Sequence, residues 1–245
     1  MKMKTILVSI LLISAFKYAD SQTFQERLYS SYINNKLNEW EKIIADMQKE
    51  YNKTNNDRQL YNIIEAYYGF IGYLMTTDQH EKMDKFIETG DKYIDFLMKK
   101  YPKWAEIYAM KGAWYGFRMI NAVYKAVYLG PKSMENINKA LELDGNCPNA
   151  HIEKANVEFH MPPVFGGSKL IALKHYQTAV IYYEKNNKTK NNWLYLNALI
   201  SMAKCYEVLN NYKEAVNVYK KILTVEPGFF YIKNSLLPSA IKKIK

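Results

Sequence analysis

A chain of 245 residues with 49% apolar and 24% charged side chains can bury a core of ordinary domain size, which excludes the disordered class. Its 10 glycines and 7 prolines are too few for a fold built on many tight turns, which argues against an all-β architecture. The net charge of +10 suits acidic partners in principle, but the lysines alternate with Glu and Asp as on a solvated helical surface, so no nucleic-acid partner is expected.

Met1-Lys2-Met3-Lys4 is a short basic segment, and Ile6 to Phe16 is an apolar stretch too short to span a bilayer. Ala19-Asp20-Ser21 then offers small residues at the two positions read by signal peptidase. Residues 1–21 therefore read as a cleaved signal peptide with Gln22 the first mature residue, and the protein as exported, periplasmic or secreted. No Cys near the cleavage site provides a lipoprotein anchor. No later segment has the unbroken apolar length of a membrane span, so no stable membrane insertion of the mature chain is expected. Export would permit Cys147 and Cys205 to oxidise; the sequence leaves their pairing open.

Residues 22–245 read as one all-α domain, a helical-hairpin solenoid of about five hairpins near 23–50, 57–102, 104–145, 148–185 and 192–227. In the first, Leu28, Tyr32, Leu37, Trp40, Ile44 and Met47 recur at helical spacing around a turn at Asn34-Asn35. Asp57 is placed to cap the next helix, and Gly69 and Gly72 on it permit close helix contact. In the third, Tyr108, Gly112 and Tyr115 set large, small and aromatic residues on one face; the helix is expected to run to Tyr128, with Gly130-Pro131 as its stop. Gly145 is expected to end the return helix in a left-handed conformation, and Pro148 to open the next. The fourth pairs Ile152, Ala155 and Phe159 with Ala172, Tyr176 and Ala179. A short basic helix at 235–244 is expected to cover the last hairpin.

The fifth hairpin is the clearest. Trp193, Leu199, Met202, Ala203 and Tyr206, then Ala215 and Tyr219, then Pro227 fill the spacing W-x2-L-G-x2-Y…A-x3-F…P with the same residues or ones of like size. Small residues let two helices cross closely, aromatic residues fill the space beside them, and proline stops the second helix. The chain thus resembles the tetratricopeptide-repeat family, which implies a binding scaffold rather than an enzyme.

The search for chemistry supports no enzymatic reading. His80-Glu81-x-x-Asp84 lacks the second His of a zinc-protease helix, and His151 and His160 lie near opposite faces, so neither a metal nor a cofactor is expected. The departures from the repeat lie in the turns. Gly112 to Ala140 is longer than the repeat spacing by about nine residues, and Ala155 to Ala172 by about five. Both insertions fall between the helices of a hairpin, hence on one edge of the array. The second reads His160-Met161-Pro162-Pro163-Val164-Phe165-Gly166-Gly167-Ser168. Its prolines stiffen it, its glycines permit unusual backbone, and Ser168 can cap the return helix. Val164 and Phe165 either reach a ligand or tuck beneath the loop.

The proline loop ending Phe165-Gly166-Gly167, followed by Ala172, Tyr176 and Ala179, resembles exported bacterial members such as the periplasmic T component of TRAP transporters; that resemblance implies a pore holding an apolar compound. Ser168 departs from that pattern, as does the missing lipoprotein Cys. Two functions are carried forward. One is a scaffold holding a protein or peptide partner on its concave surface, with Tyr108, Lys111, Tyr115, Arg118, Lys154 and Glu158 as lining and Pro162, Pro163, Val164, Phe165, Gly166 and Gly167 as loop contacts. The other is a carrier of a small apolar ligand held near the inserted loops.

Overall fold

The computed structural model describes residues 22–120 and 122–244, so the leader lies outside the described residues. The described residues form eleven α-helices: α1 (Phe24–Ile33), α2 (Trp40–Thr54), α3 (Asp57–Leu74), α4 (His80–Lys100), α5 (Ala105–Ile120), α6 (Ala126–Leu143), α7 (Pro148–His160), α8 (Lys169–Lys185), α9 (Trp193–Val208), α10 (Tyr212–Val225) and α11 (Leu237–Ile244). They pair as five consecutive hairpins, and α11 packs on α10.

Local chemistry sets the boundaries. Thr23 opens α1 with a reciprocal box: its hydroxyl accepts from the Glu26 amide at 3.2 Å, and its own amide donates to the Glu26 carboxylate at 2.9 Å. Asn192 and Asn211 cap α9 and α10 by accepting from Tyr195 and Glu214 amides. Asn35, Asn55, Asn187, Asn191 and Asn210 take left-handed backbone in the turns, which explains the abundance of asparagine between helices. Pro148 does open α7, and Ser168 does cap α8 by accepting from the Ile171 amide at 3.3 Å.

Four expectations need correction. Asn56, not Asp57, caps α3, accepting from the Gln59 amide at 3.1 Å; this leaves the Asp57 carboxylate free to pair with Lys100 Nζ at 2.6 Å. The helix begun at Ala105 ends at Ile120, and Gly130-Pro131 lies inside α6 instead of stopping a helix. Pro131 is tolerated there because the carbonyl it cannot bond belongs to Val127, which is 85% exposed, so water can satisfy it. Gly145 has no left-handed conformation; the Asp144 carboxylate instead accepts from the Asn146 amide at 2.9 Å and shapes that turn. The final helix begins only at Leu237, after a wide turn over Ile232–Leu236. Cys147 and Cys205 are both buried and free.

The outgoing helices α3, α5 and α7 run parallel. Tyr61 stacks near Trp104 (5.0 Å between ring centroids) and Tyr68 near Phe117 (5.5 Å), while Asn149 and Asn156 donate to the same two tyrosines. The order of contacts is the same along each pair. The array also closes on itself. Tyr32 donates to Asn197 at 3.3 Å, Tyr29 to Glu226 at 3.1 Å, and the Trp40 and Trp193 rings meet at 5.0 Å, so the first hairpin packs against the fifth. Gly69 makes room for this: a Cβ there would lie 2.6 Å from Trp40 Cη2 and 2.8 Å from Trp193 Cη2.

Candidate functional site

Because α1 lies against α9, little of the inner surface is left open. What remains is a cavity of about 390 Å³ at the end where α3, α5, α7 and α9 begin. Every hairpin contributes to it. Phe24 and Leu28 come from the first, Arg58, Tyr61 and Glu65 from the second, Glu106 from the third, Asn149 and Tyr183 from the fourth, and Trp193 from the fifth. Lys188 and Lys190 of the preceding linker add cations to its rim.

The wall is organised by Asn149. Its amide nitrogen donates to Tyr61 Oη at 2.9 Å and Glu65 Oε1 at 3.2 Å, and its carbonyl accepts from Tyr183 Oη at 2.7 Å. Two turns further along α7 the motif recurs: Asn156 donates to Tyr68 at 3.3 Å and Glu153 at 3.3 Å, and accepts from Tyr176 at 2.7 Å. Each asparagine thus ties α3 to α7 and α8, across non-neighbouring hairpins.

Burial pushes the Glu65 carboxyl up to about 7; the bonds from Asn149 and Tyr61 offset part of this, while the Glu106 charge adds to it. Burial likewise pushes Glu153 up to about 7, against the lowering effect of Tyr68 and Asn156. Near neutral pH each can therefore be a neutral acid that donates a hydrogen bond. Arg58 holds its guanidinium 4.4 Å from the Trp104 ring centroid and 5.5 Å from that of Tyr61, a cation fixed on aromatic faces. Such a site can grip a planar apolar body and an anionic group together, and it holds no nucleophile paired with a base.

Among the described residues, no three His, Cys, Asp or Glu side chains converge for a metal. His151 and His175 meet Nδ1 to Nδ1 at 2.9 Å, and His151 Nε2 lies 3.0 Å from the Gly145 carbonyl. Burial first, then the charges of His151 and Lys154, push His175 down to about 4, so the pair is neutral and satisfied as a hydrogen bond.

None of the residues expected from the sequence to line the concave surface lines this cavity. Lys111 Nζ sits between Asp91 (2.8 Å) and Asp95 (2.6 Å), and Arg118 also pairs with Asp91, which places them on the seam between α5 and α4. Tyr115 lies under the Lys111 ammonium at 5.5 Å, and Tyr108 donates to the Pro102 carbonyl at 3.2 Å. Lys154 reaches Met134 Sδ and Asn138 on α6. Glu158 is buried, and its Oε2 has no hydrogen-bond partner among the described residues. The face of α5 taken as concave is the one that meets the preceding return helix.

The loop residues are placed differently. Pro162, Pro163, Val164, Phe165 and Gly166 are exposed, with Val164 at 83% and Phe165 at 74%, so neither apolar side chain tucks beneath the loop. Gly166 takes φ of 95°, and a Cβ on Gly167 would meet the Met161 carbonyl carbon at 2.6 Å, so both glycines are required by the turn. Phe165→Ala should change stability by less than about 0.5 kcal/mol, checked by thermal melting. The residues that the sequence reading passed over, Glu65, Asn149, Glu153 and Asn156, do leave a signal there. Glu65 stands among Ile63, Ile64, Ala66 and Tyr67, a polar interruption of an apolar run.

The sequence pattern described as tetratricopeptide repeat matches residues 196–229, within the fifth hairpin and the turn after it. No curated protein matches the chain. Among solved structures, the HusA haemophore from Porphyromonas gingivalis superposes with a TM-score of 0.61 at 17% identity, covering 74% of this chain and 90% of that one. A thermophilic tetratricopeptide-repeat protein of Thermus thermophilus superposes with a TM-score of 0.59 at 13% identity, covering 89% and 97%. The narrower resemblance to the transporter T component gains no support from these comparisons. At such identities the likeness establishes the fold alone, and the repeat pattern itself is matched over residues 196–229.

Proposed function

We propose that this protein is an exported, non-enzymatic carrier that holds a small molecule in the cavity where its first and last hairpins meet. The observation that supports this most is the closure itself: α1 lies against α9, and the five hairpins together line an open-mouthed cavity of about 390 Å³. Its walls favour a small planar ligand, with Trp193, Tyr61 and Phe24 against the apolar body and Arg58, Lys188 and Lys190 facing an anionic group. One protein of this fold is named a haemophore, which supports a small molecule as the kind of cargo. Capture of a peptide is the second reading, favoured by the repeat architecture and by cations at the rim suited to a chain carboxylate.

Native mass spectrometry of the protein recovered from its own host separates these readings. The carrier predicts a bound small mass that Arg58→Ala weakens and Lys111→Ala does not. Recovery of an empty chain, or of one bound to a polypeptide, would overturn it. The same spectrum tests export: the intact mass is expected to correspond to a chain beginning at Gln22, and a chain retaining Met1 would contradict it.

A further inference from the structure

The turns after α5 (122–125) and α7 (161–168) follow the C-terminal ends of parallel helices and so emerge on one edge of the array. Most of the extra length expected in the first turn lies instead in the helices, since α6 begins at Ala126. On that edge large apolar side chains stand in solvent: Tyr124 is 77% exposed, Val127 85%, Val164 83%, Phe165 74% and Leu170 63%. A soluble surface normally scatters such residues singly; here the two turns and the first turns of α6 and α8 present them together. The charge pattern changes at the same place. Residues 119–132 and 159–183 contain no Asp or Glu, yet they hold Lys125, Lys132, Lys169 and Lys174.

Several lysines elsewhere pair with an acid, as in Lys82 with Glu41, Lys100 with Asp57, Lys139 with Glu142 and Lys221 with Glu184. Among the described residues, none of the four edge lysines has an acidic partner. Lys125 Nζ instead lies 5.9 Å from the Tyr124 ring centroid, and Lys169 Nζ donates to the Phe159 carbonyl and lies 4.5 Å from that residue's ring centroid. Cations on the same edge as the exposed Tyr124, Val127, Val164 and Phe165, in segments that hold no acid, match the two chemistries of a bilayer interface: an apolar boundary and anionic phosphates.

We propose that this edge docks on an anionic lipid surface, with Val127, Val164 and Phe165 entering the headgroup region and Lys125, Lys132 and Lys174 facing lipid phosphates. The loop is built for insertion. Two prolines, a short 3-10 turn at Pro163–Phe165 and the required conformations of Gly166 and Gly167 hold Phe165 outward, so little chain entropy is lost when it enters the interface. No helix of the described residues is long and apolar enough to cross a membrane, so the attachment lies on the surface. The ligand cavity opens at the opposite end, where α3, α5, α7 and α9 begin, so a docked protein keeps its mouth toward the aqueous side. This inference stands apart from the identity of the cargo.

The test is vesicle co-sedimentation of the chain produced from residue 22 onward, which contains all the described helices. Vesicles of phosphatidylcholine alone are compared with an equimolar mixture of phosphatidylcholine and phosphatidylglycerol. The protein should pellet with the mixed vesicles, remain largely in solution with the neutral ones, and be released by high salt. A double variant, Val127→Ser with Phe165→Ser, should lower the partition by about tenfold or more, from the loss of two apolar side chains. Both side chains are solvent-exposed, so its circular dichroism and melting should match the parent, which separates lost docking from lost fold. Failure of the parent to pellet with mixed vesicles would overturn the proposal, as would pelleting of the double variant equal to the parent. Concentration-dependent self-association without lipid, abolished by the double variant, would assign the edge to a second copy of the chain and overturn it as well.

Discussion

Glu153→Gln should make the protein more stable at pH 8 and leave it nearly unchanged at pH 4. Glu153 is 6% exposed, and burial lifts its carboxyl from an ordinary value of 4.5 to about 7. Below pH 4.5 the folded and unfolded chains both hold the proton, so the group contributes nothing to pH dependence. As pH rises from 4.5 to about 7 the unfolded chain loses its proton first, and the balance shifts toward unfolding. Above 7 the penalty is complete, at roughly 3 kcal/mol by linkage. Glutamine keeps an acceptor for Asn156 and carries no ionisable proton. The difference between parent and variant in urea melts should therefore open between pH 4.5 and 7 and stay level above. A difference that is independent of pH would show that Glu153 is not held neutral. Glu65, also pushed to about 7, lines the cavity and is only half-buried. Water reaches it, and Glu65→Gln should give the same profile with a smaller amplitude.

Much of the fold was legible because each repeat states its own packing locally. Ala203 and Ala215 are fully buried at the crossing of α9 and α10, with Tyr219 beside them, as the spacing of the fifth hairpin required. Gly112 lets α6 approach so closely that a Cβ would meet Ile137 Cγ1 at 2.5 Å, and Ser133 Oγ donates to the Gly112 carbonyl at 2.8 Å. The stiff backbone of the loop was equally readable from its prolines and glycines, whereas the exposure of Val164 and Phe165 was not, since the sequence left open whether they lie beneath it.

The cavity was not legible, for a physical reason. It depends on contacts between residues far apart in sequence: Asn149 with Tyr61, Tyr32 with Asn197, Trp40 with Trp193. Helical periodicity reports that a face is buried but not which helix covers it, and a repeat pattern implies an open solenoid in which each unit meets only its neighbours. The pairing of Lys111 and Arg118 was not legible for the same reason. Their face is polar and periodic, which suits an inner lining and suits an ion-paired seam with Asp91 and Asp95 equally well.

Trp193→Ala should lower stability by about 3–5 kcal/mol, the usual range for emptying a large aromatic core site. Trp193 is 7% exposed, and its ring meets Tyr32 at 5.9 Å, Trp40 at 5.0 Å and Tyr68 at 6.3 Å, so one side chain joins hairpins one, two and five. In an open solenoid a deletion weakens chiefly the local unit and its neighbours, because coupling passes only between adjacent repeats. In a closed array the loss should also release α1, four hairpins away in sequence. Amide hydrogen exchange on the folded variant should therefore speed up in α1 more than in α6, although α6 is nearer in sequence to Trp193. Gly69→Ala approaches the same junction from the other side by crowding both indoles, and overpacking should cost about 1–3 kcal/mol with the same pattern of exchange. Faster exchange confined to α9 and α10 in both variants would mean that the first hairpin stands independently of the fifth; the cavity, whose walls require both, would then lose its structural basis.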